Sequence, residues 1–136
     1  MPVSGTLRET IYVPGDLYSV NQTTAKGVDN LFARNERLVA IFDTELGPMA
    51  MILVGAMIVA GIETVWGGQV APPQKNSWRT DHRKPTEPVI LQQGEEMGRF
   101  KLGSTVVLLF GKDAIEWSES LKADDPVRLG QAISDS

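Results

Sequence analysis

The stretch "LGPMAMILVGAMIVAGI", residues 46–62, carries no charged side chain between Glu45 and Glu63, and its reading decides the fold. A helix that crosses a bilayer needs about 20 apolar residues. This run has 17 uncharged residues and is broken by Gly47, Pro48, Gly55 and Gly61. Apolar runs of about six residues set apart by glycines read as buried strands rather than as one helix. The expectation is therefore a strand over 49–54, and a second over 56–66 that bends or bulges near Gly61.

Reading outward gives more of the same. "RLVAIFD" (37–43) has strand character and "TELGP" (44–48) turns it toward "MAMILV". Upstream, "TLRETIYV" (6–13) leads to Pro14-Gly15-Asp16, where proline presets φ and glycine accepts a turn conformation. "LYSV" (17–20) continues the strand pattern and "NQTTAKGVDN" (21–30) reads as a surface loop. Residues 67–88 hold four prolines among mostly polar neighbours, which predicts a long surface excursion. "VILQQ", "GRFKL" and "STVVLLF" then return to strands. "DAIEWSESL" (113–121) has a weak helical look, though Ile115 and Trp117 also fit alternation; a short strand and a polar tail close the chain. There is no repeat and no heptad pattern. The fold class is mostly β, one domain over residues 1–136, as a compact barrel or sandwich of short strands.

Composition narrows the function. With 136 residues, 42% hydrophobic and 22% charged, the chain suits one globular domain. A net charge of −4 argues against a nucleic-acid partner, which calls for a basic stripe. Zero cysteines remove disulfides and thiolate chemistry. The opening "MPVSGTLRET" lacks the basic start and apolar core of a signal peptide.

The usual catalytic residues are nearly missing. His82, the only histidine, sits in "RTDHRK" and reads as a solvated loop residue without a catalytic partner. No donor spacing suggests a metal. Gly94, Gly98 and Gly103 do not lead a strand into a helix, so they form no dinucleotide or phosphate loop. Glu95, Glu96, Arg99 and Lys101 read as solvent-facing charges at a strand edge, and Trp66, Trp78 and Trp117 as packing residues. What stands out is Gly103-Ser104 at the entrance of the apolar run 105–110. A bulge or turn explains a glycine there. The other explanation is that the Gly–Ser bond is itself a reaction site.

"GEEMGRFKLGSTVVLLF" (94–110) resembles the processing-site signature of the phosphatidylserine decarboxylases, pyruvoyl-dependent enzymes that make phosphatidylethanolamine. The likeness extends to "RETIYVPGDLYSVN" (8–21), "NLFARNERLVAIFDTELGPMAMILVGAMIVAGIETVWGG" (30–68) and "VRLGQAI" (127–133). It spares the excursion around 72–90 and the segment 111–125. The resemblance implies a β-rich barrel-sandwich hybrid, incomplete relative to the full-length family. It implies that the Ser104 hydroxyl attacks the Gly103 carbonyl, that the resulting ester eliminates, and that residues 1–103 and 104–136 separate as two chains. Residue 104 becomes a covalent pyruvoyl group, the Schiff-base site at which phosphatidylserine loses CO2. The resemblance also implies an anionic membrane surface as partner and a peripheral location on the cytoplasmic face of the cell membrane. Tyr18, Ser19 and Asn21 become candidates for the substrate pocket, a structural turn role being the alternative.

The family pattern is not matched throughout. Serine needs a base, which the family supplies as a histidine oriented by an aspartate, with a second histidine assisting decarboxylation. On that pattern all of these precede Met1, the processing histidine immediately so, as do amphipathic membrane-associating helices. The expectation is a C-terminal portion that works only with the N-terminal part as partner. The competing reading is an inactive remnant β-domain with weak lipid or protein binding. A third, a lipoyl-type carrier, wants its lysine at a hairpin tip, whereas Lys101 lies in a strand-like run.

Overall fold

The computed structural model describes residues 1–15, 35–55, 61–70, 77–83, 86–101 and 105–135. The strands are β1 (Gly5–Val13), β2 (Arg37–Thr44), β3 (Gly47–Val54), β4 (Ile62–Thr64), β5 (Gly68–Gln69), β6 (Trp78–Asp81), β7 (Ile90–Leu91), β8 (Gly98–Phe100) and β9 (Thr105–Phe110). Among the described residues there is no helix. The larger sheet runs β6-β1-β2-β3-β9, with β7 also paired to β1, and the smaller runs β5-β4-β8. All pairings are antiparallel. The mostly-β expectation holds, as two sheets; the larger one ends at β6 and β9 and does not close into a barrel.

The core follows from alternation. Leu38, Ala40 and Phe42 of β2 face inward, and the register sets them opposite Leu53, Met51 and Met49 of β3. Small Ala40 opposite flexible Met51 fills the layer evenly. Each large side chain buried this way contributes about 1.5–3 kcal/mol. The β2–β3 turn is tied by Thr44, whose hydroxyl donates to the Gly47 carbonyl at 2.6 Å and accepts from the Leu46 amide at 3.1 Å. Gly47 has φ +92°, which a side chain would resist.

β1 is less regular. Its register with β2 shifts between Leu7 and Glu9, a bulge that changes which face is inside. Before it Gly5 and Leu7 are buried; after it Thr10 and Tyr12 are. The bulge is what brings Tyr12 into the core.

Three expectations need correction. The excursion at 67–88 contains β5 and β6, and β6 forms an edge of the larger sheet on β1. It escapes notice because only Trp78 is half-buried, Arg79, Thr80 and Asp81 being exposed. Residues 113–121 form no helix; Trp117 instead bridges to Ser134, all that remains of the expected C-terminal strand. The proposed strand over 56–66 shortens to Ile62–Thr64 among its described residues. Its part at 56–60 lies outside them, as do Asp16, "LYSV" and the loop at 21–30.

Candidate functional site

Gly103 and Ser104, the sequence's candidate reaction site, and Tyr18, Ser19 and Asn21 all lie outside the described residues. Their described neighbours define the surroundings. β8 ends at Phe100 in the smaller sheet and β9 begins at Thr105 in the larger one. The Lys101 amide donates to the Gly61 carbonyl at 3.2 Å, beside the start of β4. Thr105 pairs with Val54, Val54 with Arg37, and Arg37 with Val13, a row across one end of the larger sheet. In sequence, Gly103-Ser104 thus falls between a strand of the smaller sheet and a strand of the larger one.

The same end holds a buried polar cluster that the sequence reading missed. Tyr12, Asn35 and Glu36 are 0%, 0% and 1% exposed. The Tyr12 hydroxyl donates to Glu36 Oε2 at 2.6 Å. Asn35 Nδ2 donates to the Gly55 carbonyl at 2.9 Å, and the Gly55 amide donates to the Glu36 carbonyl at 2.7 Å. Gly55 directly follows Val54, the partner of Thr105. Asn35 and Glu36 stand just before an apolar strand and so look like the polar end of a loop. Nothing in their spacing announces burial; the bulge that turns Tyr12 inward creates the partner.

The other candidates fall where packing explains them. Trp66 meets Phe42 edge-on at 6.0 Å, Trp78 stacks on Tyr12 at 5.8 Å, and Trp117 meets Phe110 at 5.9 Å. Glu96 and Arg99 form an exposed two-pronged ion pair at 2.6 and 2.8 Å, in line with a charged strand edge. Lys101 lays its side chain along Gly61 and donates to Gln69 at 3.3 Å. Arg8 pairs with Asp43 on the exposed face of β1 and β2. Among the described residues no three His, Cys, Asp or Glu side chains are grouped as metal donors, and no helix is long and apolar enough to cross a membrane.

His82 departs from the solvated loop expected for it. It is half-buried at the end of β6, 3.0 Å through Nε2 from the buried Thr10 hydroxyl, with its ring edge-on to Trp66. Burial lowers its pKa below the ordinary 6.5, against the raising effect of Asp81. The unfolded chain therefore binds the proton more readily, and stability falls as pH drops below about 6.5. In thermal melts between pH 7.5 and 5.5, His82→Gln should flatten that slope; an unchanged slope would contradict it. β6 and β9 are opposite edges of the larger sheet, so His82 lies four strands from Thr105, about 19 Å for a flat sheet.

A cavity of about 150 Å³ lies between Val3, Leu46, Phe110 and Ile133, at the far end of β9 from Thr105. Ligand pockets usually start near 300 Å³. Met1 belongs to that far end too: its ammonium donates to the Glu95 carbonyl at 2.7 Å, and β1 runs away from it toward Val13. Adjacency to Met1 is thus no adjacency to Thr105, the two being separated by the length of β1, roughly 25 Å or more.

Comparison with known proteins places this architecture. The family model described as phosphatidylserine decarboxylase matches residues 1–135. The chain is 58% identical to a phosphatidylserine decarboxylase proenzyme of Pseudomonas fluorescens (strain Pf0-1), over all of this chain and 48% of the relative. It is 59% identical to the Pseudomonas putida (strain F1) proenzyme, over 98% of this chain and 47% of the relative. Against the Stutzerimonas stutzeri (strain A1501) proenzyme the identity is 60%, over 98% and 45%. The chain spans about half the length of these curated relatives. A match over 135 of 136 residues, on a β framework whose strands flank the Gly103-Ser104 bond, assigns the chain to the phosphatidylserine decarboxylase family.

Proposed function

We propose that this chain supplies the self-processing serine of a phosphatidylserine decarboxylase and works together with an N-terminal part of the enzyme. The observation that carries the reading is the Gly103-Ser104 pair, which in sequence falls between β8 of one sheet and β9 of the other within a family match to residues 1–135. The Ser104 hydroxyl oxygen attacks the Gly103 carbonyl carbon, the amide C–N bond breaks, and an ester with a free Ser104 amine remains. Loss of the Ser104 α-proton then expels the Gly103 carboxylate and leaves dehydroalanine at 104. Tautomerisation to the imine, addition of water and loss of ammonia leave a pyruvoyl group on residues 104–136.

The chain's residues suit that group. Ser104 is its chemical precursor, Gly103 offers no Cβ to hinder attack, and Thr105 opens a strand held by six register pairs to β3. When formed, the group supplies a ketone that takes up the electrons released with CO2. The chain's own contribution is to hold Thr105, the residue bonded to 104, at the end of that ladder. Phosphatidylserine as substrate, an anionic membrane surface as partner and a peripheral place on the cytoplasmic side of the membrane belong to the same proposal.

The test is a chimaera in which residues 1–136 replace the matching region of the Pseudomonas fluorescens proenzyme. It should split after residue 103 of this chain and release CO2 from phosphatidylserine vesicles. The fragment 104–136 should lack the serine amine by mass and react with a carbonyl reagent. A folded chimaera that stays whole, and binds lipid without turnover, would instead support the remnant β-domain.

A further inference from the structure

We infer that the buried cluster of Tyr12, Asn35 and Glu36 is a positioning device that fixes the start of β9 for self-processing of the Gly103-Ser104 bond. The inference rests on the proposed function for the reaction, and on described geometry for the device. Three polar side chains, each at most 1% exposed, are costly to keep in a largely apolar core. Their hydrogen bonds converge on one place. Tyr12 of β1 holds the Glu36 carboxylate at 2.6 Å, Asn35 Nδ2 holds the Gly55 carbonyl at 2.9 Å, and the Glu36 carbonyl takes the Gly55 amide at 2.7 Å. Both peptide groups of Gly55 are therefore fixed by β2's entry segment rather than left to fray.

Gly55 follows Val54, and Val54 is the register partner of Thr105, the residue bonded to Ser104. Among the described residues β9 has no second strand neighbour, since it is an edge of the larger sheet. Its first residue is thus held from the β3 side, and β3's end is held by the cluster. The rest of the same strands is secured by apolar packing at Phe42, Met49 and Phe110. At the end nearest the reacting bond, hydrogen bonds from fully buried side chains are added to that packing, whereas the exposed turn at the other end is tied by Thr44 alone among the described residues. Hydrogen bonds fix direction as well as distance, which an attack geometry needs and a hydrophobic contact does not supply.

The role assigned to Glu36 is that of an acceptor for Tyr12, not of a proton carrier. This separates it from both a catalytic base and a merely structural residue. In the chimaeric proenzyme, Tyr12→Phe and Glu36→Ala should slow cleavage at least about 10-fold per folded molecule, as displaced reacting groups do. Glu36→Gln keeps an acceptor oxygen and should cleave within about threefold of the parent. Met49→Ala, at the opposite end of β3, serves as the control: it should lower the melting temperature at least as much and leave the cleavage rate unchanged. Hydroxylamine, which cuts the ester, should release little fragment from Tyr12→Phe, showing that the acyl shift itself is slowed.

Cleavage of Tyr12→Phe at the parental rate overturns the inference. So does a Met49→Ala variant slowed as much as Tyr12→Phe, which reduces the cluster to stability. A Glu36→Gln variant that folds but cleaves as slowly as Glu36→Ala overturns the acceptor role. Failure of the parent chimaera to cleave overturns the proposed function and this inference with it, whereas parental cleavage with unaffected cluster variants overturns the inference alone.

Discussion

Ser104→Ala in the chimaeric proenzyme is expected to leave one uncleaved polypeptide with no carbonyl-reactive end, a complete loss of both processing and turnover. In the proposed reaction no other residue can substitute, because the attacking oxygen and the carbon skeleton of the new group both come from residue 104. Ser104→Cys and Ser104→Thr keep a nucleophile at that place and should cleave slowly. The 136-residue chain by itself should also stay whole. Its only histidine is His82, which sits four strands from Thr105 and is engaged with Thr10 and Trp66. A positioned base contributes about 10²–10⁴ in rate, so cleavage without one should be slower by about that factor. His82→Gln in the chimaera should process normally, and replacing each histidine of the supplied N-terminal part in turn identifies the base. Intact mass reads every arm. Prompt and complete splitting of the isolated chain would show that a base lies within it.

The sequence made the middle of the larger sheet and its β9 edge legible and hid the β6 edge. β2 and β3 alternate cleanly because one face meets the core and the other does not, as Leu38, Ala40 and Phe42 show. β6 could not be read that way. An edge strand with three of four residues exposed has no apolar face to reveal it, and "WRTD" looks like loop. β1 hid something subtler. Counted by twos from Leu7, the inward residues would be Glu9, Ile11 and Val13; the bulge makes them Thr10 and Tyr12. A single unpaired residue thus decides whether Tyr12 reaches Glu36, and pattern counting does not register it. The candidate reaction site stood out in the sequence by its Gly-Ser pair and the family likeness. The polar cluster at the Thr105 end of the larger sheet did not, since "NER" before a strand is usually solvated and its burial depends on partners brought from β1 and β3.

Gly98 illustrates the same limit and carries the second large effect. Of Gly98 the sequence says only that it belongs to no phosphate loop, while the structure shows what it does. It pairs with Thr64 across the β4–β8 ladder, and a Cβ built on it would overlap the Glu63 carbonyl oxygen and lie 3.3 Å from Thr64 Cα. Both atoms are backbone, so no rotamer change relieves the clash and the two strands must part. That ladder has only three pairs, Ile62↔Phe100, Glu63↔Arg99 and Thr64↔Gly98. It also covers the buried Ile62, Thr64 and Met97. Overpacking of this kind costs about 1–3 kcal/mol and more where the backbone is the obstacle. Gly98→Ala in the 136-residue chain should therefore lower Tm by roughly 5–15 °C. Gly111→Ala, where a Cβ meets nothing within 4 Å and φ is not positive, should change it by less than about 2 °C. The loss should not stop at stability. β8 is the strand that delivers the chain to the Gly103-Ser104 bond, so in the chimaera Gly98→Ala should slow cleavage even below its melting point. Equal melting temperatures for the two alanine variants would mean that β4 and β8 separate at little cost, and that the smaller sheet does not hold the processing segment.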